Sequence, residues 1–410
     1  MSLRPSPEGA LRPFTGSFTQ PEPIDEEAIA AAVAVLRSGR LHRYNTLGQE
    51  LSEAALLERD YAAYQGSRYC LACASGGYAM QVALRAAGLQ PGEAVLTNAF
   101  TLAPVPGAVV NAGGAPIFVE TTRDLVIDLQ DLETKQADSG ARFLLLSHMR
   151  GHLADMDRLA AFVAAKGLVL IEDCAHTMGA RWRGRNSGNF GLAGCFSTQT
   201  YKHLNSGEGG FLTSDDAEFM ARAIVLSGSY MLYERHGAAP DPDVFADIRL
   251  ETPNWSGRMD NLRAAVLRPQ IADLDAACTR WNERYRTVER KLRAVDTLEV
   301  PVRPPEEHYV GSSIQFLIPG ISASAARDFL AATGALGVEL KWFGDEEPVA
   351  FTSTHKSWRY VAPQSLPQTD AILSGLFDMR LPLAFSLEDC AQIGDIVAAC
   401  ARTLAGRSAA

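Results

Sequence analysis

An α/β chain with a large, mainly parallel sheet and a smaller C-terminal lobe of α+β structure is what this sequence predicts, on three observations. Short β-rich runs alternate with segments of helical spacing as far as Thr213. A long helical stretch then leads into a strand, helix, strand, helix pattern. The length, 410 residues, exceeds one small domain. Strands separated by helices pair in parallel, and such a sheet is covered on both faces.

Residues 1–24 are rich in proline, glycine and serine and read as a loose N-terminal arm. A helical pattern follows from Asp25 to Gly39, opened by a capping residue type and closed by glycine, and a second runs from Leu51 to Tyr64. The β-rich runs are Ala94–Leu96, Pro116–Val119, Phe143–Leu146, Leu168–Ile171, Cys195–Ser197 and Gly210–Thr213. Ligands on sheets of this kind gather at the carboxyl ends of the strands. From Asp260 to about Leu298 a single helical stretch, kinked at Pro269, bridges to the second lobe. The boundary falls near residue 275, giving a large domain over 25–275 and a small one over 276–410. In the latter, Ile314–Ile318, Ser324–Thr333, Val338–Phe343 and Ser386–Leu404 read strand, helix, strand, helix.

With 47% hydrophobic and 21% charged residues, the chain can bury a large core without disulfides or metals. A net charge of −10 and the lack of a lysine/arginine block argue against nucleic acid as a partner. Seven cysteines, an odd and scattered set, do not form a secreted disulfide framework and suit a reducing cytoplasm. Cys70 and Cys73 form a C-x-x-C, but no second pair or histidine cluster completes a metal set, so they read as buried small residues. No apolar run reaches the roughly 18 residues that span a bilayer.

The densest chemical signal is residues 168–214. An apolar strand ends in Glu172-Asp173, where a carboxylate projects into the ligand crevice and can face a protonated ring nitrogen; a helix cap or surface turn is the alternative. Lys202 follows a second short strand and precedes the turn Ser206-Gly-Glu-Gly-Gly210. Held among apolar groups, its amine loses its proton readily and becomes a nucleophile for Schiff-base chemistry; otherwise it is a solvated lysine. Ser197 offers a hydroxyl to a phosphate, or is a satisfied strand-end hydroxyl. Ser75-Gly76-Gly77 opens a helical pattern whose free N–H groups make an anion cradle, although serine and glycine also cap helices without any ligand.

The combination resembles the DegT/StrS-type sugar aminotransferases, enzymes of the aspartate-aminotransferase-like fold (fold type I) that use pyridoxal 5'-phosphate (PLP). The resemblance covers most of residues 30–400 and rests on Ile171-Glu-Asp-Cys-Ala-His176, the Gly188 to Ser197 stretch and Lys202 with its glycine turn. Weaker matches are His148-x-x-Gly-His152-x-x-Asp-Met-Asp157, Arg258-Met259 and Leu381-Pro-Leu383. The resemblance implies that Lys202 holds PLP as a Schiff base, that Asp173 partners the pyridine nitrogen, and that His176 lies beside the ring hydroxyl. It assigns phosphate contacts to Ser75, Gly76, Gly77 and Ser197. It also implies a homodimer that shares residues near Asn254 to Arg258, a glutamate or glutamine donor, and a nucleotide-linked keto sugar or keto cyclitol acceptor. Such chemistry belongs to amino-sugar, antibiotic or cell-surface sugar biosynthesis.

Three positions depart from the family pattern. Gly77 replaces a threonine. Leu102 stands where an aromatic stacks on the ring, leaving Phe100 or Tyr78 as the expected substitute. Ser256 stands at the usual asparagine, leaving Asn254 as its substitute. Arg150, His152, Lys341, Trp342, His355 and Trp358 are available to shape a substrate pocket. Lysine at 202 argues against the dehydrating relatives that carry histidine there, and the cysteines do not cluster as an iron–sulfur set. A different PLP reaction on the same fold, or a PLP-binding sensor, is the alternative reading. A nucleotide-dependent oxidoreductase fails because no G-x-G-x-x-G opens a helix after the first strand.

Overall fold

The structure is a computed structural model and describes residues 11–408. Seven strands build the large sheet: β1 (Tyr69–Cys73), β2 (Ala94–Asn98), β3 (Ala115–Val119), β4 (Phe143–Ser147), β5 (Val169–Asp173), β6 (Ala193–Ser197) and β7 (Gly210–Ser214). Their order is β1-β7-β6-β5-β4-β2-β3. Strand β7 is antiparallel to both neighbours, and every other pairing is parallel. The six expected runs thus form strands within a few residues of their expected ends. Strand β1 goes unmarked by pattern because Tyr-Cys-Leu-Ala-Cys has no β-branched residue and no alternation; all five residues are buried.

The reversal at β7 brings several strand ends to one edge. Cys73 and Ser197 both lie opposite Gly210, and Ser147 lies beside Asp173. Along β1, Cys70 and Cys73 enter separate apolar cores on the two faces of the sheet. Both are unpaired, as are the other five cysteines.

Helix α1 (Glu26–Ser38) is capped by Asp25, whose Oδ1 accepts from Ala28 N at 2.7 Å, and ends at Gly39 with φ 67°. Helix α2 (Glu53–Gln65) is capped by Ser52, and α3 (Gly76–Ala86) by Ser75. The expected single kinked helix after Asp260 is instead two helices, Asn261–Gln270 and Leu274–Leu292. Pro269 lies near the end of the first and offers no N–H. Beyond it the chain tightens, with Ile271 N bonded to Arg268 O and Ala272 N to Pro269 O, each at 3.3 Å.

The C-terminal lobe holds an antiparallel sheet of β8 (Ser313–Leu317), β9 (Lys341–Trp342) and β10 (Leu376–Arg380), with β10 in the centre. Helices Ala323–Ala335 and Leu387–Ser408 pack against it. The arm, where described, is not loose. Phe14 and Phe18 are 5% and 3% exposed and pack edge to face on Phe385, with ring centroids 5.0 Å apart in both pairs. Phe14 N donates to Leu336 O at 2.8 Å, and Glu22 ion-pairs with Arg280 on the bridging helix. Burying two aromatic rings outweighs the weak ordering tendency of the surrounding proline and glycine.

Candidate active site

The acidic pair that ends β5 divides its labour by face. Glu172 is fully buried: its Oε1 accepts from Phe190 N at 2.7 Å and Gly191 N at 3.1 Å, while its Oε2 accepts from Gly188 N at 3.0 Å. His148 Nε2 lies 3.0 Å from the same Oε2. The glycine-rich 188–194 stretch thus wraps a structural carboxylate. Asp173, one residue on, faces the other way and lines the cavity at the sheet edge. Its Oδ2 accepts from Ser147 Oγ at 2.8 Å and its Oδ1 from Ala175 N at 3.1 Å.

Where β1 passes into α3, Ser75 Oγ accepts from Tyr78 N at 3.0 Å, and Gly76 and Gly77 form the first turn. A Cβ on Gly76 would lie 2.9 Å from Ser197 Cβ and 3.2 Å from Phe196 O. Only glycine lets the helix start close onto the end of β6. Ser75, Gly76, Gly77 and Ser197 together line one end of the cavity, a seat suited to a phosphate.

Lys202 sits in the loop from β6 to β7. Its N donates to Gln199 O at 2.8 Å, and Gly207 and Gly209, with φ 79° and 155°, allow the return. Lys202 Nζ lies 2.8 Å from His176 Nε2. Burial, reinforced by the Arg150 guanidinium, lowers the lysine pKa to about 7 against the opposing pull of Asp173. His176 is held well below its ordinary value by burial and then by Lys202 and Arg150, so its ring is neutral. We assign its Nε2 as the acceptor of the Lys202 bond.

The cavity, of ≈ 440 Å³, thus brings together Lys202, Asp173, His176, Ser75, Gly76, Gly77 and Ser197. Of the residues available to shape a substrate pocket, Arg150 and Lys341 line it. The others lie elsewhere: His152 Nε2 bonds Gln315 Oε1, Trp342 Nε1 bonds Ser374 O, and His355 Nε2 bonds Asp370 Oδ1, each at 2.8 Å, while Trp358 packs on Phe118. Phe100, expected to stack on the cofactor ring, is absent from the cavity wall. It packs edge to face on Phe343 at 5.2 Å in an apolar cluster behind the wall, because the rest of that pocket is apolar and closed. Tyr78 is also turned away, its hydroxyl donating to Trp255 O at 3.2 Å and Leu226 O at 3.3 Å. Leu102 and Ala175 line the cavity instead. Asn254 is exposed and lies off its own chain's cavity. Sequence reasoning missed Ser147, Gln199, Tyr201, Glu208 and Arg380, all on the wall. The signal available for Arg380 was weak: it directly precedes Leu381-Pro382, at the end of a run, Leu376-Phe-Asp-Met379, that a carboxylate interrupts.

The sequence pattern of the DegT/DnrJ/EryC1/StrS aminotransferase family matches residues 22–398. The chain belongs to this family. The cofactor of DegT-family aminotransferases is PLP. A "Pleiotropic regulatory protein" of Geobacillus stearothermophilus is 31% identical over 278 residues, 67% of this chain and 68% of that protein. The dTDP-3-amino-3,4,6-trideoxy-alpha-D-glucose transaminase of Streptomyces venezuelae is 32% identical over 301 residues, 72% of this chain and 73% of that one. The L-glutamine:2-deoxy-scyllo-inosose aminotransferase of Streptomyces lividus is 32% identical over 266 residues, 63% and 62% of the two chains. Among solved structures, S. venezuelae DesV in complex with a ketimine intermediate superposes with a TM-score of 0.77 at 27% identity, covering 92% of this chain and 94% of that one.

The residues present suit PLP. A phosphate seat closes only because position 76 is glycine, a carboxylate ends β5, and a lysine titrating near neutrality stands beside a neutral histidine.

Proposed function

We propose that this protein is a PLP-dependent aminotransferase that moves an amino group from glutamate or glutamine to a keto sugar or keto cyclitol. The observation that carries the reading is Lys202: its Nζ is 2.8 Å from a neutral His176, has its pKa lowered to about 7, and shares a cavity with Asp173 and the Ser75–Gly77 helix start. When bound, PLP supplies an electron sink for the bond electrons of a substrate α-carbon. In this proposal Asp173 would be the group that holds a proton on the ring nitrogen. Ser75, Gly76, Gly77 and Ser197 fix the phosphate, which sets the ring's place. Lys202 Nζ would take the proton from the donor α-carbon and, in the second half-reaction, deliver one to the carbon that was the acceptor's carbonyl, with His176 Nε2 orienting the amine. The relatives named for amino-sugar and inosose substrates support the acceptor class.

In the same proposal the protein is a cytoplasmic homodimer, and Asn254 reaches the partner's cavity. Supporting this, Tyr230, Met231 and Trp255 are 56%, 52% and 40% exposed around that segment, an apolar surface that a second copy would cover. Among the described residues no helix is long and apolar enough to cross a membrane.

The "Pleiotropic regulatory protein" relative favours a second reading, a PLP-binding regulator that does not turn over. The visible spectrum of the PLP-loaded protein, before and after L-glutamate or L-glutamine and beside Lys202→Ala, separates the two. A lysine-dependent band bleached by one donor supports the aminotransferase; a band neither donor changes supports the regulator; no band overturns both.

A further inference from the structure

A second cluster of charge lies in the cavity, apart from the phosphate seat. Arg150 and Lys341 surround Asp378, which is fully buried in the middle of β10: Arg150 Nη2 is 2.9 Å and Lys341 Nζ 3.6 Å from its Oδ2. Its Oδ1 accepts from Gln315 Nε2 at 2.8 Å, and Gln315 Oε1 in turn accepts from His152 Nε2. Arg380, two residues along β10, also lines the cavity. It stacks on the Tyr201 ring at 3.5 Å and gives one N–H to Phe18 O at 3.2 Å. Within this cluster three positive groups (Arg150, Lys341, Arg380) face one negative (Asp378), while Asp173 and Glu208 line other parts of the wall.

Two features say that this excess is built for a ligand. Arg150 is 6% exposed, yet its Nε and Nη2 make no hydrogen bond among the described residues; the Asp378 contact is an ion pair without hydrogen-bond geometry. Buried guanidinium donors without partners are costly unless something else accepts them. The backbone is also bent to present this side chain: Arg150 has φ 54° and ψ 24°, the left-handed region that a residue with a Cβ avoids. The adjoining Gly151 holds the turn against the chain that carries His176, since a Cβ there would lie 3.1 Å from His176 O.

We propose that Arg150, Lys341 and Arg380 form a carboxylate-binding subsite that seats the α-carboxylate of the amino donor. The inference rests on the aminotransferase reading and deepens it. The fork of a guanidinium matches the two oxygens of a carboxylate. All three cations line the same cavity as Lys202, so the anion they attract shares that cavity with the reacting amine, as the carboxylate of an α-amino acid must. Asp378 fixes Arg150 and Lys341 in place, while Arg380 is held by the Tyr201 ring and one bond to Phe18 O.

The first test needs no turnover. Calorimetric titration of glutarate into the protein, with and without PLP, reads the subsite directly, using wild type, Arg380→Gln and Lys341→Met, both half-buried positions. The expected result is a Kd raised at least tenfold in each variant, with the PLP absorption band unchanged. A glutarate Kd within twofold of wild type in both variants overturns the subsite, whatever the cofactor does. A missing PLP band with glutarate binding intact would instead overturn the aminotransferase reading and leave the carboxylate site standing. Half-saturation in the two half-reactions then assigns the source. Weakening toward L-glutamate and L-glutamine supports the donor; weakening confined to 3-dehydroshikimate, a ring ketone bearing a carboxylate, overturns the donor assignment and moves the carboxylate to the acceptor.

Discussion

The lowered pKa of Lys202 makes a prediction that can be read before any substrate is known. At pH 8 an amine with a pKa of about 7 is about 90% neutral, whereas one at the ordinary 10.5 is about 0.3% neutral, so Lys202 should be about 300-fold more available as a nucleophile. The assay is trace acetylation of the cofactor-free protein with acetic anhydride from pH 5.5 to 10, with peptide mass spectrometry comparing Lys202 with the exposed Lys166. Reactivity of Lys202 should rise with a midpoint near 7. Because Arg150 repels the ammonium and Asp173 attracts it, Arg150→Met should move the midpoint up and Asp173→Asn should move it down. The same displacement fixes a sign for stability. The folded state binds fewer protons than the unfolded one between about pH 7 and 10.5, so stability rises with pH across that window, and the full penalty is present below it. Lys202→Met removes the penalty and should stabilise the cofactor-free protein at pH 6.5 by as much as about 5 kcal/mol. A midpoint near 10 in the wild type would refute the argument, because burial and Arg150 would then not govern the amine.

Three further substitutions test separate parts of the site. Gly76→Ala places a methyl 2.9 Å from Ser197 Cβ and should weaken PLP about tenfold or more by equilibrium dialysis, through loss of a charge-assisted phosphate contact, while the far-ultraviolet spectrum is retained. Glu172→Gln keeps the shape but presents an NH2 group to a site ringed by backbone N–H donors, so thermal unfolding should report a loss of about 2–4 kcal/mol. Phe14→Ala opens a cavity among Phe18 and Phe385 and should cost about 3–5 kcal/mol, with protease sensitivity increasing first in the C-terminal lobe.

Much of the large lobe was legible because its strands are compact apolar runs and its functional loops follow them directly. Lys202, Asp173, His176 and the Ser75–Gly77 turn are local in sequence and carry their chemistry in short motifs. Strand β10 was not legible: Asp378 interrupts its apolar run, and the groups that stabilise that carboxylate, Arg150, Lys341 and Gln315, lie far away in the chain. Arg380 was lost with it. Phe100 failed for a related reason. Its neighbours Leu102 and Phe343 compete for the same space, and nothing local to residues 98–102 says which side chain turns toward the cavity and which packs behind it. The arm misled through composition, since Phe14 and Phe18 are two residues in a segment otherwise typical of loops.

The two buried carboxylates of the cavity region show how one site keeps two negative charges for different ends. Asp173 is bonded only by neutral donors, the Ser147 hydroxyl and the Ala175 amide, and no cation stands within ion-pair distance of it among the described residues. In the proposed reading this leaves Asp173 to serve the ring nitrogen of the cofactor. Asp378 has both oxygens engaged, one by Gln315 and the other by two cations, so its charge is neutralised where it stands and its effect is positional. Asp173→Asn should then lower turnover on the order of 100-fold while leaving glutarate affinity unchanged. Asp378→Asn should release Arg150 and Lys341 and alter glutarate affinity while leaving the absorption of bound PLP as it was. If both variants changed the same quantity, the cavity would be one coupled electrostatic unit, and the separation of a cofactor end from a carboxylate end would be wrong.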